Sequence, residues 1–158
     1  MLLYHGTDIF KAENIIKNGV NVKAGRRYLD FGQGFYLTPS LKQAVNWSIR
    51  TNAPCVLEFD FNCKELNIKH FPSANREWAE FVIKNRLGMQ TEQYDVVYGP
   101  MADTGVSFVR KNYQAHKTTF EQAVNRIIYR SDGSQVVVLR EKAVKALTFI
   151  RKVDVEHV

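Results

Sequence analysis

The apolar residues in the first half of the chain recur at helical spacing, and each run follows a residue that commonly caps helices. Asp8 precedes the first run, and Gly19 follows it. Ser40 precedes the second run. Ser73 precedes a third run, which ends at Gly88. The pattern therefore predicts three helices in this part of the sequence.

The second half of the chain is dominated by short apolar runs, typical of strands. A capping box from Thr118 to Glu121 predicts one further helix through Ile128. Gly99-Pro100 closes one apolar run, and Ser131-Asp132-Gly133 is predicted to be a turn before another. The strands predicted over the whole chain are 2–5, 35–38, 55–61, 94–98, 135–139 and 147–153.

This order of elements predicts an α+β fold, with an antiparallel or mixed sheet rather than a doubly wound one. The chain has no internal repeat, low-complexity tract or linker, so we expect one domain over residues 1–158. That length is sufficient for a hydrophobic core without disulfides or metals.

The charge balance favours an anionic partner without identifying it. Lys and Arg outnumber Asp and Glu by 22 to 16, which gives a net charge of +6. A dinucleotide, a nucleic acid or an acidic protein would each suit this charge, and so would a merely solvated basic surface. Charge alone leaves these alternatives open.

The cysteines and the N-terminal segment indicate the compartment. Cys55 and Cys63 are too few for a disulfide framework and lack metal-ligand spacing, which predicts core or edge residues in a reducing compartment. The first residues lack the basic and long apolar regions of a signal peptide. We therefore expect a cytoplasmic protein that contacts no membrane, unless another machine delivers it as an effector.

Three short segments carry candidate chemistry. In Tyr4-His5-Gly6-Thr7, an imidazole lies beside a residue whose bare backbone can approach a ligand closely, although a lone histidine is usually structural. In the segment from Gly32 to Tyr36, the two glycines match neither a P-loop nor a dinucleotide fingerprint, and a tight turn would explain them equally well. Gln135 opens a valine-rich strand, where a polar residue either marks the strand end or points into a cleft.

Taken together, in this order and separation, these segments resemble the ADP-ribosyltransferase superfamily. The likeness is closest to its diphtheria-toxin and poly(ADP-ribose) polymerase branch, with its His–Tyr–Glu triad, and to the small bacterial single-domain members of that branch. It extends from Tyr4 to about Lys152, and its most specific part is the first 45 residues. The resemblance implies a split mixed or antiparallel sheet with flanking helices, and NAD as co-substrate without a metal.

The resemblance also implies a role for each residue that matches the family pattern. His5 would hydrogen-bond the ribose hydroxyls of NAD, the backbone of Gly6 would hold the nicotinamide carboxamide, and Thr7 would help to position the adenosine-side ribose. Tyr36 would stack on nicotinamide. Gln135 lies where the family has its catalytic glutamate, so the implied catalytic set is His5, Tyr36 and Gln135.

Further residues are assigned to the cofactor and the target. Gly32, Gly34 and Phe35 belong to the implied cofactor-binding segment, and Arg26, Arg27 and Lys42 are candidates for the pyrophosphate by charge alone. The resemblance implies that a loop contacts the target, formed by Arg130, Ser131, Asp132, Gly133 and Ser134. Within this loop Asp132 is close enough in sequence to supply a base.

The glutamine at position 135 is the departure from the family pattern. Gln135 can orient a ribose hydroxyl, but it cannot ionise, so we expect transfer of a single ADP-ribose rather than polymer formation. The target would be a protein or a nucleic acid. Small free-standing members of this superfamily often act as toxins or effectors, which suggests a neutralising antitoxin as a partner.

Other function classes compete with this hypothesis. A catalytically silent module that binds NAD or ADP-ribose would retain the site and lack the chemistry. A basic nucleic-acid-binding domain would use exposed aromatic and lysine side chains, and its affinity would fall steeply with salt. A relative that removes phosphate from RNA is expected to have a histidine and an arginine in place of Tyr36 and Gln135, so it is disfavoured.

Overall fold

The computed structural model describes residues 1–155, without the side chains of Thr104 and Asp132. Two short 3-10 helices, Val22–Ala24 and Thr104–Phe108, accompany the main elements. In chain order these are β1 (Leu2–Asp8), α1 (Ile9–Asn18), β2 (Phe35–Leu37), α2 (Leu41–Ser48), β3 (Pro54–Phe61), β4 (Ile68–His70), α3 (Arg76–Leu87), β5 (Val96–Ala102), α4 (Val109–Gln114), α5 (Phe120–Ile127), β6 (Ser131–Val138), α6 (Glu141–Val144) and β7 (Leu147–Val153).

The strands form two sheets that meet at one point. The first sheet has the order β1-β3-β7 and is antiparallel. The second has the order β2-β6-β5-β4 and is antiparallel except for the parallel pair β4 and β5. An isolated bridge between Tyr4 and Thr38 joins β1 to β2. The α+β fold with mixed and antiparallel sheets and flanking helices is therefore confirmed.

The second sheet separates two hydrophobic cores. Because neighbouring residues of a strand point to opposite faces, Val137 packs with Trp78 and Ile127 on one face, while Val136 and Val138 pack with the first sheet on the other. The same alternation in β2 places Phe35 in the core shared with the first sheet and Tyr36 against the core beneath α3 and α5. This alternation decides which way Tyr36 points.

The first two helices begin where their capping residues predict. The Asp8 side chain accepts a hydrogen bond from the Lys11 N–H at 2.9 Å, and Ser40 accepts one from the Gln43 N–H at 3.2 Å. Gly19 ends α1 with a φ of +83°, a left-handed conformation that suits glycine. None of the helices among the described residues is long and apolar enough to cross a membrane.

Two predicted helix starts are wrong by one or two residues. Asn75, not Ser73, caps α3, because its side chain accepts a hydrogen bond from the Trp78 N–H at 3.0 Å. The capping box joins Thr119 to Gln122 rather than Thr118 to Glu121. In both places neighbouring residues offer equivalent capping chemistry, so burial of the apolar face decides between them.

The ends of several predicted strands are also wrong, and β1, for example, continues to Asp8 instead of ending at His5. β5 continues through Gly99-Pro100 to Ala102; proline is tolerated there because the pairing with β6 is irregular between Pro100 and Ala102. β6 begins at Ser131, so the predicted turn 131–133 belongs to a strand, as do all but the first residue of the predicted target loop. The sequence patterns also did not predict β4, α4 or α6.

Candidate functional site

The two sheets diverge immediately after the bridge that joins them. Tyr4 and Thr38 exchange two backbone hydrogen bonds, of 2.8 and 2.9 Å. Continued antiparallel pairing would bring Gly6 opposite Tyr36, but no backbone hydrogen bond joins these two in the described structure. Backbone groups two residues apart point the same way, so the N–H and C=O of Gly6 face the gap between β1 and β2. One donor and one acceptor are thus exposed side by side at this edge.

Gly6 is also required by the packing of α2 on β1. A Cβ atom at this position would lie 2.0 Å from the carbonyl oxygen of Ala44, closer than any van der Waals contact permits. The helix backbone therefore lies directly against the strand. The absence of a side chain at position 6 admits the helix on this face of the strand.

His5 crosses the gap and holds β2. Its Nδ1 lies 2.7 Å from the carbonyl oxygen of Tyr36, and its ring centroid lies 4.3 Å from that of Phe35. A carbonyl only accepts hydrogen bonds, so Nδ1 carries the proton and Nε2 is an acceptor. Burial lowers the pKa of His5, a change that the Tyr36 carbonyl opposes and the charge of Lys11 assists. The ring is therefore neutral at physiological pH.

Tyr36 is fixed at its hydroxyl group. The hydroxyl donates a hydrogen bond to the Gly32 carbonyl at 2.7 Å and accepts one from the Phe31 N–H at 3.2 Å. Burial raises the pKa of Tyr36, and the negative charge of Asp30 raises it further. The phenol is therefore neutral, and the segment around residues 30–34 determines the orientation of its ring.

The two glycines before β2 allow that segment to lie close to its neighbours. Gly32 has a φ of +89°, and a Cβ there would lie 2.9 Å from the Asn85 Oδ1 in α3. A Cβ on Gly34 would lie 2.6 Å from the carbonyl oxygen of Val138. The turn accounts for Gly32 and the close approach to β6 accounts for Gly34, and a contact with a cofactor at Gly32, Gly34 or Phe35 stays a prediction.

Gln135 lies one strand away from Tyr36, on the same face of the second sheet. Tyr36 pairs with Val137 in β6, two residues from Gln135, and side chains two apart share a face. Gln135 is only 4% exposed. Its Nε2 donates hydrogen bonds of 3.3 Å to the Asp30 Oδ2 and of 3.3 Å to the Pro100 carbonyl. The structure therefore brings Tyr36 and Gln135 together, although no direct hydrogen bond joins them.

Asp30 is the residue of this site that the sequence patterns missed. It is 4% exposed, and Arg86 approaches its Oδ1 with Nε at 2.9 Å and Nη2 at 2.6 Å. Its Oδ2 also accepts a hydrogen bond from the Ala102 N–H at 3.0 Å. A buried carboxylate requires such partners, but they come from distant parts of the chain. Only the unusual position of an acidic residue directly before Phe31-Gly32 could have drawn attention to it.

Gln43 links α2 to β6, the strand next to β2. Its Nε2 donates to the Ser134 carbonyl at 3.0 Å, and its Oε1 accepts from the Ser134 N–H at 3.2 Å. The side-chain amide thereby replaces a strand partner at the point where β2 has ended, since Pro39 has no N–H to offer. Because the adjacent Ala44 contacts Gly6, α2 spans the distance between the two edges.

The remaining candidates lie further from this centre. Thr7 is buried within β1, whereas the three candidates for the pyrophosphate are exposed and form no ion pair with the residues described: Arg26, Arg27 and Lys42. Arg130 is exposed and lies 3.8 Å from the Asp103 carboxylate. Ser131 and Gly133 are exposed at the start of β6, and the side chain of Asp132 lies outside the described residues, so its predicted role as a base stays a prediction.

Comparison with known proteins identifies a family without an assigned activity. No curated protein matches the sequence. A family model described as "Protein of unknown function (DUF3990)" matches residues 1–149, which include both edges of the gap, the segment around Asp30 and the start of β7. Since the match covers nearly the whole chain, the protein belongs to the DUF3990 family.

Proposed function

We propose that the protein is a mono-ADP-ribosyltransferase that uses NAD as co-substrate, releases nicotinamide and transfers ADP-ribose to a macromolecular target. The observation that carries this proposal is the gap between β1 and β2. There the neutral imidazole of His5 and the bare edge of Gly6 face the strand that carries Tyr36, with Gln135 one strand further. This is the order of groups that the resemblance to ADP-ribosyltransferases implies.

The edge of Gly6 is complementary to a carboxamide. A carboxamide presents one carbonyl acceptor and one N–H donor on the same side, and Gly6 presents one N–H and one C=O that no described backbone group pairs. Two parallel hydrogen bonds would hold nicotinamide at the edge of β1. The ring of Tyr36, fixed at its hydroxyl, would then stack on the pyridine ring.

The imidazole of His5 is suited to a ribose hydroxyl. Its Nδ1 proton is used by the Tyr36 carbonyl, so Nε2 is free to accept a hydrogen bond from a hydroxyl donor. Since burial lowers the pKa of His5, the ring keeps this acceptor at physiological pH. In a protonated imidazole, Nε2 would carry a proton and could only donate a hydrogen bond to the hydroxyl oxygen.

The reaction breaks the bond between the ribose C1′ and the nicotinamide nitrogen. The electron pair of that bond leaves with nicotinamide, which departs as a neutral molecule, and positive charge develops on the sugar. An oxygen or nitrogen of the target then bonds to C1′ and loses its proton to solvent. Gln135 would accept a hydrogen bond from the 2′-hydroxyl and orient the sugar in this state.

The partners follow from this reaction. Arg26, Arg27 and Lys42 are exposed cations that could reach the pyrophosphate, and the segment from Arg130 to Ser134 is proposed to contact the target, a protein or a nucleic acid. A toxin or effector role with a neutralising antitoxin partner rests on the resemblance. A cytoplasmic location is supported by Cys63, an exposed thiol without a disulfide partner.

A second candidate function has one specific observation in its favour. Gln135 is almost fully buried, and its amide nitrogen is engaged by Asp30 and Pro100. A chain that binds NAD or ADP-ribose without reacting would tolerate a glutamine tied into the core in this way. The two functions differ in whether nicotinamide is released.

The test measures nicotinamide release from NAD labelled in either half, with and without whole-cell lysate. The proteins compared are the wild type, Tyr36→Ala, Tyr36→Phe and Gln135→Ala. Tyr36→Phe is the matched control, because it keeps the ring and loses only the hydroxyl that binds Gly32 and Phe31. Circular dichroism confirms that each variant is folded before its rate is interpreted.

We expect release and label transfer by the wild type, retained largely by Tyr36→Phe and lost in Tyr36→Ala and Gln135→Ala. Binding of NAD by the wild type without release in any lysate would establish the silent module instead. Absence of NAD binding, measured by calorimetry at millimolar NAD, would exclude both functions.

A further inference from the structure

The surroundings of Gln135 determine which way its amide group faces. The two groups nearest to Nε2 are the Asp30 carboxylate and the Pro100 carbonyl, each at 3.3 Å, and both are acceptors only. With the amide reversed, an oxygen would face two oxygens, one of them charged. The chemistry of the site therefore assigns the nitrogen to this side.

The remaining polar atom of the side chain is then its oxygen. No described residue donates a hydrogen bond to the Gln135 Oε1, while Nε2 has two acceptors. A ligand that approaches Gln135 consequently meets an acceptor. In the resemblance to ADP-ribosyltransferases, the position of Gln135 requires an acceptor, since a ribose 2′-hydroxyl is the group to be oriented.

Asp30 cannot turn away from this contact. Arg86 holds its Oδ1 with two hydrogen bonds, and the Ala102 N–H holds its Oδ2, the atom that accepts from Gln135. Because both of its oxygens are fixed, the Asp30 carboxylate restricts the orientation of the Gln135 amide beside it.

The same segment of chain also holds Tyr36. Phe31 and Gly32, the two residues after Asp30, bind the Tyr36 hydroxyl through their backbone N–H and C=O. The segment from Asp30 to Gly32 therefore contacts two of the three residues that match the family triad. A displacement of Asp30 would disturb both.

We propose that Asp30 is a positioning residue that fixes the Gln135 amide with its oxygen, not its nitrogen, presented to the ribose 2′-hydroxyl of NAD. This inference rests on the function proposed above. It explains why a glutamine can occupy the position: with Asp30 as neighbour, a glutamate in its place would bring two carboxylates within hydrogen-bond distance of each other. Residues 30 and 135 thus form a matched pair in which only one member carries charge.

The test exchanges the charge between the two positions. The proteins compared are the wild type, Asp30→Asn, Gln135→Glu and the double variant, in which the amide introduced at position 30 would donate to the carboxylate introduced at position 135. Gln135→Met is the control for shape without an amide. The readouts are kcat and KM for nicotinamide release and, without NAD, the side-chain amide resonances of Gln135 by NMR.

We expect each single change to lower kcat by roughly ten- to a hundredfold, the factor of a lost hydrogen bond to a charged group, with a smaller change in KM. The double variant should recover at least about tenfold over either single variant, because donor and acceptor are again opposite each other. A merely structural role of Asp30 would make the two defects multiply. The proposal would be overturned by a kcat in Gln135→Glu above that of the wild type. It would also be overturned if the double variant lost kcat by the product of the two single losses.

The NMR readout separates this inference from the proposed function. In the wild type the Gln135 amide protons should exchange slowly, and in Asp30→Asn their resonances should shift and exchange at least about tenfold faster. If the wild type releases no nicotinamide, the proposed function fails, and the amide orientation is judged on these resonances alone. Resonances unchanged by Asp30→Asn would overturn the proposed orientation of the amide.

A second comparison applies if Asp30→Asn does not fold. The proposal then requires that Gln135→Glu releases nicotinamide no faster than Gln135→Met, and a faster rate in Gln135→Glu would overturn it.

Discussion

The two edges of the gap between the sheets are built by different means. The β1 edge offers backbone groups of Gly6 and one neutral ring, that of His5, and it depends on close packing against α2. The opposite side, where β6 lies next to β2 and which is called the β6 side below, offers a side chain, Gln135, held by the buried ion pair of Asp30 and Arg86. The β1 edge depends on the absence of a Cβ atom at Gly6, whereas the β6 side depends on the ion pair that compensates the charge of Asp30.

This difference predicts how each edge fails. A backbone edge has no buried charge to compensate, so only a steric change disturbs it. A buried ion pair carries a desolvation cost that its hydrogen bonds must offset, so removal of one partner leaves a charge without compensation. We therefore expect larger losses of stability from changes on the β6 side than from changes at the β1 edge.

The largest effect is expected from Arg86→Met. This change leaves the Asp30 carboxylate, whose side chain is nearly inaccessible to water, without its cationic partner. The free energy of unfolding should fall by about 3–5 kcal/mol, the usual loss for a buried pair broken on one side. Urea denaturation followed by circular dichroism measures it.

The matched control for that change is Arg76→Met in the same helix. Arg76 forms its ion pairs with Glu80 and Glu121 at the exposed surface, where such pairs contribute little. An equal loss of stability in the two variants would contradict the distinction between a buried and a surface pair.

A smaller but still large effect is expected from Gly6→Ala at the β1 edge. The added methyl group would overlap the Ala44 carbonyl oxygen, so α2 must shift away from β1. Overpacking of this kind costs about 1–3 kcal/mol. The free energy of unfolding should fall by that amount, and nicotinamide release should be lost because the strand edge moves.

Gly19→Ala is the matched control for Gly6→Ala. A Cβ on Gly19 meets nothing within 4 Å, so its only cost is the positive φ of +83°. We expect a loss of about 1–3 kcal/mol, because this backbone conformation is essentially restricted to glycine, and full retention of nicotinamide release. If both variants lost release, the defect would not be specific to the edge.

The local elements of this fold are largely encoded in local sequence, and the exceptions are instructive. Asp8 and Ser40 were identified as caps because each is the suitable residue before its helix. The shift from Ser73 to Asn75 and the continuation of β5 through Pro100 depend on packing with distant residues. The three-residue strand β4 is recruited by its parallel neighbour β5 rather than by a pattern of its own.

The candidate site divides in the same way. His5, Gly6 and Tyr36 can be proposed as candidates from short segments, because the groups concerned belong to β1 and β2 themselves. Asp30 was not, since nothing in a linear pattern reveals that an acidic residue will meet Arg86, 56 positions later, and Gln135, 105 positions later. The role of Gln43 is not predictable from the sequence for the same reason, because its partner Ser134 lies 91 positions away.

An intermediate effect is expected from Gln43→Ala, which removes the link between the two edges. The backbone N–H and C=O of Ser134 lose their partner, at a cost of about 1–2 kcal/mol for two hydrogen bonds at a half-buried site. Hydrogen exchange should become faster at the Ser134 amide and little changed at the β2 and β6 amides beyond Val136. Lys42→Ala, its exposed neighbour, is the control; unchanged exchange at Ser134 in Gln43→Ala would show that Gln43 does not hold this edge.

The smallest effect is the pH dependence that His5 gives to the β1 edge. Burial lowers the pKa of His5 below its ordinary 6.5, so on acidification the unfolded chain takes up this proton before the folded one. The contribution of His5 to stability is therefore complete above about pH 6.5 and declines as the pH falls from 6.5 through the folded-state pKa. Binding of NAD should weaken only as the pH falls through the folded-state pKa, because protonation of the folded protein then removes the Nε2 acceptor.

Two comparisons isolate this effect from other titrations. His5→Asn keeps a donor for the Tyr36 carbonyl and does not titrate, so the decline below pH 6.5 should disappear from its stability profile. Asp95, whose pKa is lowered chiefly by the hydrogen bond from the Asn67 N–H, loses its contribution only below about pH 4, outside the interval of His5. An NMR titration of the His5 ring with a midpoint at or above pH 6.5 would contradict the neutral imidazole, and with it the assignment of Nε2 as the acceptor at the β1 edge.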